Sequence, residues 1–156
     1  MTPAMLAFES APVERRHGDY LLSTDRARLD LPAIHRFLTA ESYWALGVER
    51  SLVDRAIANS LPAAAYAGNG ALVGFARLVT DGAAFAYLRD VFVLEAHRGR
   101  GLGRALSALL LDHPDLGSVR NWMLATKDAH ALYATLGFAP LADPSLIMQM
   151  RRIASG

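Results

Sequence analysis

Three apolar runs, Ala63 to Ala67, Ala71 to Thr80 and Ala83 to Leu94, are separated only by Gly68-Asn69-Gly70 and Asp81-Gly82. Asn, Asp and Gly tolerate the positive φ that tight hairpin turns require. Three consecutive strands in an antiparallel meander are therefore expected. The third carries charge only at Arg89 and Asp90 and is expected to be the most buried. No all-helical arrangement accommodates this middle of the chain.

The flanks read differently. Asp30 opens a helix with Pro32 in its first turn, where a missing N–H costs nothing. Leu31, Ile34, Phe37 and Leu38 give that helix one apolar face. A second helix starts near Glu49, with Leu52, Val53, Ala56 and Ile57 on one stripe. Tyr20-Leu21-Leu22 suggests a short strand, whereas residues 1 to about 18 show no apolar period and read as a loose end. After the meander, Leu102, Leu106, Leu109 and Leu110 mark an amphipathic helix that Pro114 stops. Trp122 to Ala125 reads as a strand, Asp128 to Leu136 as a short helix capped by Gly137, and Leu146 to Met150 as a last strand. The expectation is a single α/β (α+β) domain over residues 1–156, a sheet with helices on its faces.

Composition removes several functions. Hydrophobic residues are 53% and charged residues 20%, enough for a core and too little charge for disorder. A net charge of +1 argues against a nucleic-acid partner, which needs a clear basic excess. The absence of cysteine excludes disulfides, thiolate metal sites and a cysteine acyl-enzyme. His17, His35, His97, His113 and His130 show no ligand spacing, so no metal is expected. No apolar stretch spans a bilayer and no secretory signal is visible, which reads as cytoplasmic and without a membrane partner.

The segment Arg98-Gly99-Arg100-Gly101-Leu102-Gly103-Arg104 sits between a strand and a helix. Backbone N–H groups at a helix N-terminus, with glycines allowing close approach and arginines adding charge, suit a phosphate or pyrophosphate. A dinucleotide loop needs glycine where Arg104 stands, and a Walker loop needs Lys followed by Ser or Thr. Both fail.

Val91-Phe92-Val93 followed by Arg98-Gly99-Arg100-Gly101-Leu102-Gly103 resembles the acetyl-CoA signature of the GNAT N-acetyltransferases. Ala129-His130-Ala131-Leu132-Tyr133-Ala134-Thr135-Leu136-Gly137-Phe138 is similar to that family's later segment. The resemblance covers about residues 63 to 150. It implies a mixed, mainly antiparallel sheet splayed between its fourth and fifth strands, with acetyl-CoA in the splay. Backbone groups of Val91, Phe92 and Val93 would pair with the pantetheine arm, and Gly99 to Arg104 would hold the pyrophosphate. Two positions depart from the family pattern: Glu95-Ala96 replaces a usual proline, and Thr126 stands where asparagine is frequent.

Acetyl transfer to an amine needs a neutral nucleophile, a positioned thioester and a proton for the departing thiolate. Direct attack in a ternary complex is the economical route, since neither a cysteine nor a Gly-x-Ser-x-Gly elbow is present. Tyr133 occupies the position of the family's acid tyrosine, and packing is its bland alternative. Asp90, placed on the same facing as Leu88 and Phe92, is a candidate base beside Glu41 and His130. Tyr43 and Trp44, with Arg77, Phe85 and Tyr87, are candidate acceptor walls. The acceptor could be a small amine or a peptide or protein amine. A non-catalytic acetyl-CoA or CoA sensor is the competing class, and the apolar content of 53% would suit a homodimer interface at the Leu146 to Met150 strand.

Overall fold

The computed structural model describes residues 11–152. Six strands form one sheet in the order β1 to β6: β1 (Glu14–His17), β2 (Tyr20–Ser23), β3 (Leu61–Tyr66), β4 (Leu72–Thr80), β5 (Phe85–Val93) and β6 (Asn121–Leu124). Neighbours are antiparallel except β5 and β6, which are parallel. Four α-helices flank the sheet among the described residues, α1 (Leu31–Ala40), α2 (Arg50–Ala58), α3 (Leu102–Leu111) and α4 (His130–Ala134), together with four short 3-10 turns. Parallel pairing needs a crossover, and α3 supplies it between β5 and β6.

Local chemistry fixes the helix starts. Asp30 accepts from the Ala33 amide at 3.1 Å, and Pro32 lies in the first turn of α1. Two apolar layers then cover the sheet. On one face, Leu102, Leu106, Leu109 and Leu110 of α3 pack with Leu22, Ala63, Ala65, Leu78 and Leu88. On the other, Ile34, Phe37 and Leu38 of α1 and Val53 and Ile57 of α2 pack with Ala64, Phe75 and Phe92. Gly74 lies under α3, where a Cβ would come within 3.2 Å of Leu106 Cδ1.

Four expectations are corrected. Glu14–His17, inside the stretch read as loose, is an edge strand paired in register with Tyr20–Ser23; residues 1–10 of that stretch lie outside the described residues. Its lack of apolar period reflects an exposed edge, which needs only backbone bonds. The third meander strand is not the most buried. β3 is buried throughout, whereas β5 exposes Phe85 and Arg89: they alternate with Ala86 and Leu88, which the α3 cluster buries, and so lie on the other face, where the α1–α2 cluster includes only Phe92 of β5. Asp128 to Leu136 contracts to the five residues of α4. Leu146 to Met150 is no strand: Pro144–Leu146 is a 3-10 turn capped by Asp143, and Leu146, Met148 and Met150 are exposed by 76%, 94% and 77%. An apolar run becomes a strand only where a partner edge meets it.

Candidate active site

A bulge in β5 starts the site. Phe75 and Arg77 of β4 pair with Phe92 and Arg89, so Asp90 and Val91 together oppose Ala76. Asp90 takes φ +54°, in the left-handed region that side chains enter at a cost of order 1 kcal/mol. Its contacts hold it there. The Trp44 indole N–H donates to Oδ1 at 2.8 Å and Arg77 Nε donates to Oδ2 at 2.9 Å. Arg77 Nη1 also donates to Ser60 Oγ at 3.0 Å, and that hydroxyl donates to the Ala56 carbonyl at 2.6 Å. The ion pair is about nine-tenths buried, each side chain keeping 10% of its exposure.

The bulge also changes which face each side chain meets. Leu88 packs under α3, whereas Phe92 stacks on Phe37 of α1 with ring centroids 4.0 Å apart. The expected common facing of Leu88, Asp90 and Phe92 is therefore overturned. An extra residue shifts the period-two alternation by one.

β5 and β6 separate soon after they meet. Phe85 to Leu88 pair with Asn121 to Leu124, and there the ladder ends. Beyond it opens a cleft of about 810 Å³ between Leu88–Val91 and Leu124–Ala129, with Tyr43, Trp44, Tyr87 and Tyr133 also on its walls. This is the splay between the fourth and fifth strands of the sequence reading, counted one higher here because of β1.

Tyr133 reaches the cleft from α4 and is 8% exposed. Burial pushes its phenol above the ordinary tyrosine value, with the Ser107 hydroxyl pulling partly the other way. The group is thus protonated at neutral pH and able to donate. α4 is placed by its ends: Thr126 Oγ1 accepts the Ala129 amide at 3.0 Å, and the Phe138 amide returns to the Tyr133 carbonyl at 3.1 Å.

The glycine loop lies past the end of β5. Gly99 and Gly101 take φ +80° and +76°, which a side chain resists, and α3 begins immediately after. A Cβ at Gly99 meets nothing within 4 Å, so the loop is open above that residue. The edge hairpin braces it. His17 Nε2 lies 2.6 Å from the Arg100 carbonyl, and the Tyr20 hydroxyl lies 2.8 Å from His97 Nδ1. The arginines differ in their duties. Arg98 Nε donates to the Val93 carbonyl at 3.0 Å, and Arg104 Nε donates to Thr135 Oγ1 at 2.9 Å, tying α3 to α4. Arg100 is exposed, with no side-chain partner among the described residues.

The structure brings Asp90, Val91, Thr126, Tyr133, Tyr43, Trp44 and Tyr87 to one cleft. Arg77 sits behind Asp90 instead of on the cleft wall, and Phe85, 36% exposed, lies off it. Glu41 and His130 are exposed and do not line it. Arg89, Lys127 and Arg151, which line the cleft, and Ser107, buried behind Tyr133, were missed by the sequence reading. The Lys127 ammonium lies 5.3 Å from the Tyr43 ring centre. The signal that was available is Lys127 beside Thr126, at the mouth of a loop between strand and helix. Among the described residues, no three His, Cys, Asp or Glu side chains gather as a metal site would require. No described helix is long and apolar enough to cross a membrane.

The family model described as the acetyltransferase (GNAT) domain matches residues 63–140, from β3 through the loop after α4. This chain belongs to the GNAT acetyltransferase family. A Gibberella zeae protein provisionally named an acetyltransferase is 33% identical over 144 residues, covering 78% of this chain and 80% of that one. A crystal structure of a provisionally named GNAT acetyltransferase from Xanthomonas campestris pv. campestris is 45% identical, with a TM-score of 0.82, covering 85% of this chain and 93% of that one. The glucosamine-6-phosphate N-acetyltransferase of Arabidopsis thaliana shares the fold at 14% identity and a TM-score of 0.58, covering 93% of this chain and 98% of that one. The chain is an acetyltransferase, and its GNAT family generally takes the acetyl group from acetyl-CoA.

Proposed function

We propose that this chain transfers acetyl from acetyl-CoA to a primary amine by direct attack within a ternary complex. The observation that carries the proposal is the splay between β5 and β6, with the buried phenol of Tyr133 on its wall and the open glycine loop at the end of β5.

The residues present suit the donor. The loop from Gly99 to Arg104 leads into the N-terminus of α3, where backbone N–H groups favour a pyrophosphate, and exposed Arg100 adds charge. Val91, Phe92 and Val93 lie on the strand that leaves its partner, so they would hold the pantetheine arm as an added strand is held. Thr126, whose hydroxyl already accepts the Ala129 amide, borders the same cleft. Bound acetyl-CoA supplies an activated thioester.

The chain's own groups manage position and protons. Asp90, fixed by Trp44 and Arg77, faces the cleft and would orient the amine's N–H and take its proton through water. Tyr133 would donate a proton to the departing thiolate, a contribution of about 10²-fold or more. Tyr43, Trp44 and Tyr87 would enclose the acceptor, and Arg77 would act through Asp90.

Thermal stability with acetyl-CoA, CoA and NAD, followed by thiol release with amines, tests this reading. A ligand at ~100 times its Kd adds about 2.7 kcal/mol, which raises the melting temperature by roughly 5 °C or more in a domain of this size. A shift with acetyl-CoA and CoA but not NAD is expected. No shift with either coenzyme would end the reading. A shift without thiol release from any amine would favour a coenzyme sensor.

A further inference from the structure

We propose that the acceptor is a small amine carrying a carboxylate, recognised by Arg89, Lys127 and Arg151 at the cleft; this rests on the acetyl-transfer reading of the same site. All three cations line the cleft. The described residues form five ion pairs, and none of them uses any of the three.

What holds these cations leaves their charge uncompensated. The Arg89 guanidinium lies 6.0 Å from the centre of the Tyr87 ring, and the Lys127 ammonium 5.3 Å from that of Tyr43. An aromatic face orients a cation without supplying a counter-ion. Arg151 Nε donates to the neutral amide oxygen of Gln149 at 3.3 Å. Two acids share the lining. Asp90 is already matched by Arg77 at 2.9 Å, which leaves exposed Asp128 against three cations.

The balance selects the acceptor by charge. A polyamine or a lysine-rich peptide brings like charge to the cleft, and like-charge juxtaposition is unfavourable. The attacking nitrogen must also be neutral, so a ligand bound mainly through its ammonium loses its attraction on becoming reactive. A carboxylate keeps its attraction through that proton loss. Guanidinium matches a carboxylate with paired N–H donors, and Lys127 adds a point charge.

Thiol release with acetyl-CoA should be compared for L-amino acids, their amides, β-alanine, O-phosphoethanolamine and putrescine. At least one carboxylate amine is expected to exceed its amide and putrescine by ~100-fold in kcat/KM. Arg89→Gln and Lys127→Gln should each lower that value ~10-fold, chiefly through KM, while the thermal shift with CoA persists. Calorimetry should show the N-acetyl amino acid binding the CoA-loaded protein more tightly than its amide, independently of turnover. Equal rates for amides or putrescine, turnover of no carboxylate amine, preference for O-phosphoethanolamine over every carboxylate, or indifference to both substitutions would overturn the proposal. Any of these with the CoA shift intact sinks the acceptor assignment alone. Loss of the CoA shift in the unaltered protein sinks the acetyl-transfer reading beneath it.

Discussion

β3 pairs along its whole length with β4, through one register shift at Ala65/Tyr66, and the pair is closed on both faces, by α3 on one and by α1 and α2 on the other. β5 and β6 pair for four residues and then part. The same backbone chemistry governs both pairs. The difference is whether cover is available: where helices lie on both faces, hydrogen bonding and burial reinforce each other, and the ladder runs on. The β5–β6 ladder ends at Leu88, just before the bulge that puts Asp90 into a left-handed conformation, and there a cleft replaces a core. Two tyrosines mark the contrast. Tyr66, in the closed region, donates its hydroxyl to the Arg28 carbonyl at 2.8 Å, while Tyr133 lines the cleft. Burial pushes both phenols up, to about 12 for Tyr66. One phenol is held by a backbone carbonyl, and the other is the acid of the proposed mechanism.

The largest expected effect tests closure itself. Phe75→Ala, at a side chain with no exposure, should destabilise by about 3–5 kcal/mol, whereas Leu124→Ala, half-buried beside the splay, should cost roughly 1–2 kcal/mol in denaturant unfolding. Equal losses would show that the two regions are packed alike.

Arg77→Met tests the tie between the regions. Leaving the Asp90 carboxylate buried without its cation should cost about 3 kcal/mol, and adding Asp90→Asn should recover part of it. A double variant no more stable than the single one would show that the pair is not coupled.

Tyr133→Phe should lower turnover ~10²-fold, equivalent to about 2.7 kcal/mol, with the CoA-induced melting shift retained. Tyr66→Phe should leave turnover within a few-fold. Unchanged turnover in Tyr133→Phe removes that phenol from the mechanism.

The smallest effect is alkaline. Tyr66 binds its proton more tightly folded than unfolded, so its contribution is complete below pH ~10 and is lost as pH rises towards about 12. Unfolding between these values should show roughly 2 kcal/mol less pH-dependent loss in Tyr66→Phe than in the unaltered protein. Parallel stability curves would mean that Tyr66 titrates alike in both states.

Much of the closed region was legible in the sequence. Gly68-Asn69-Gly70 and Asp81-Gly82 each mark a turn through the preferences of three or fewer residues, and Ile34, Phe37 and Leu38 mark a buried face through spacing alone. Local rules suffice where each signal lies within one turn or one helix. They failed at the edges. Glu14–His17 has no apolar period because an edge strand needs none, and Leu146–Met150 has one without a partner strand to use it. The glycine loop was visible for the same local reason that made the turns visible, but the divided duties of Arg98, Arg100 and Arg104 were not.

The residue order alone therefore determined the meander, the glycine loop, the helix that follows it and the later short helix that carries Tyr133. Each is specified by neighbours within about one turn of chain. Tertiary structure decided which groups meet at the cleft, Trp44 with Asp90 over 46 positions and Tyr43 with Lys127, and that buried Ser107 backs Tyr133. It also decided the face of every residue past the bulge. An extra residue in β5 is recognised only against the strand it fails to match, and the closing of a splay depends on what covers it.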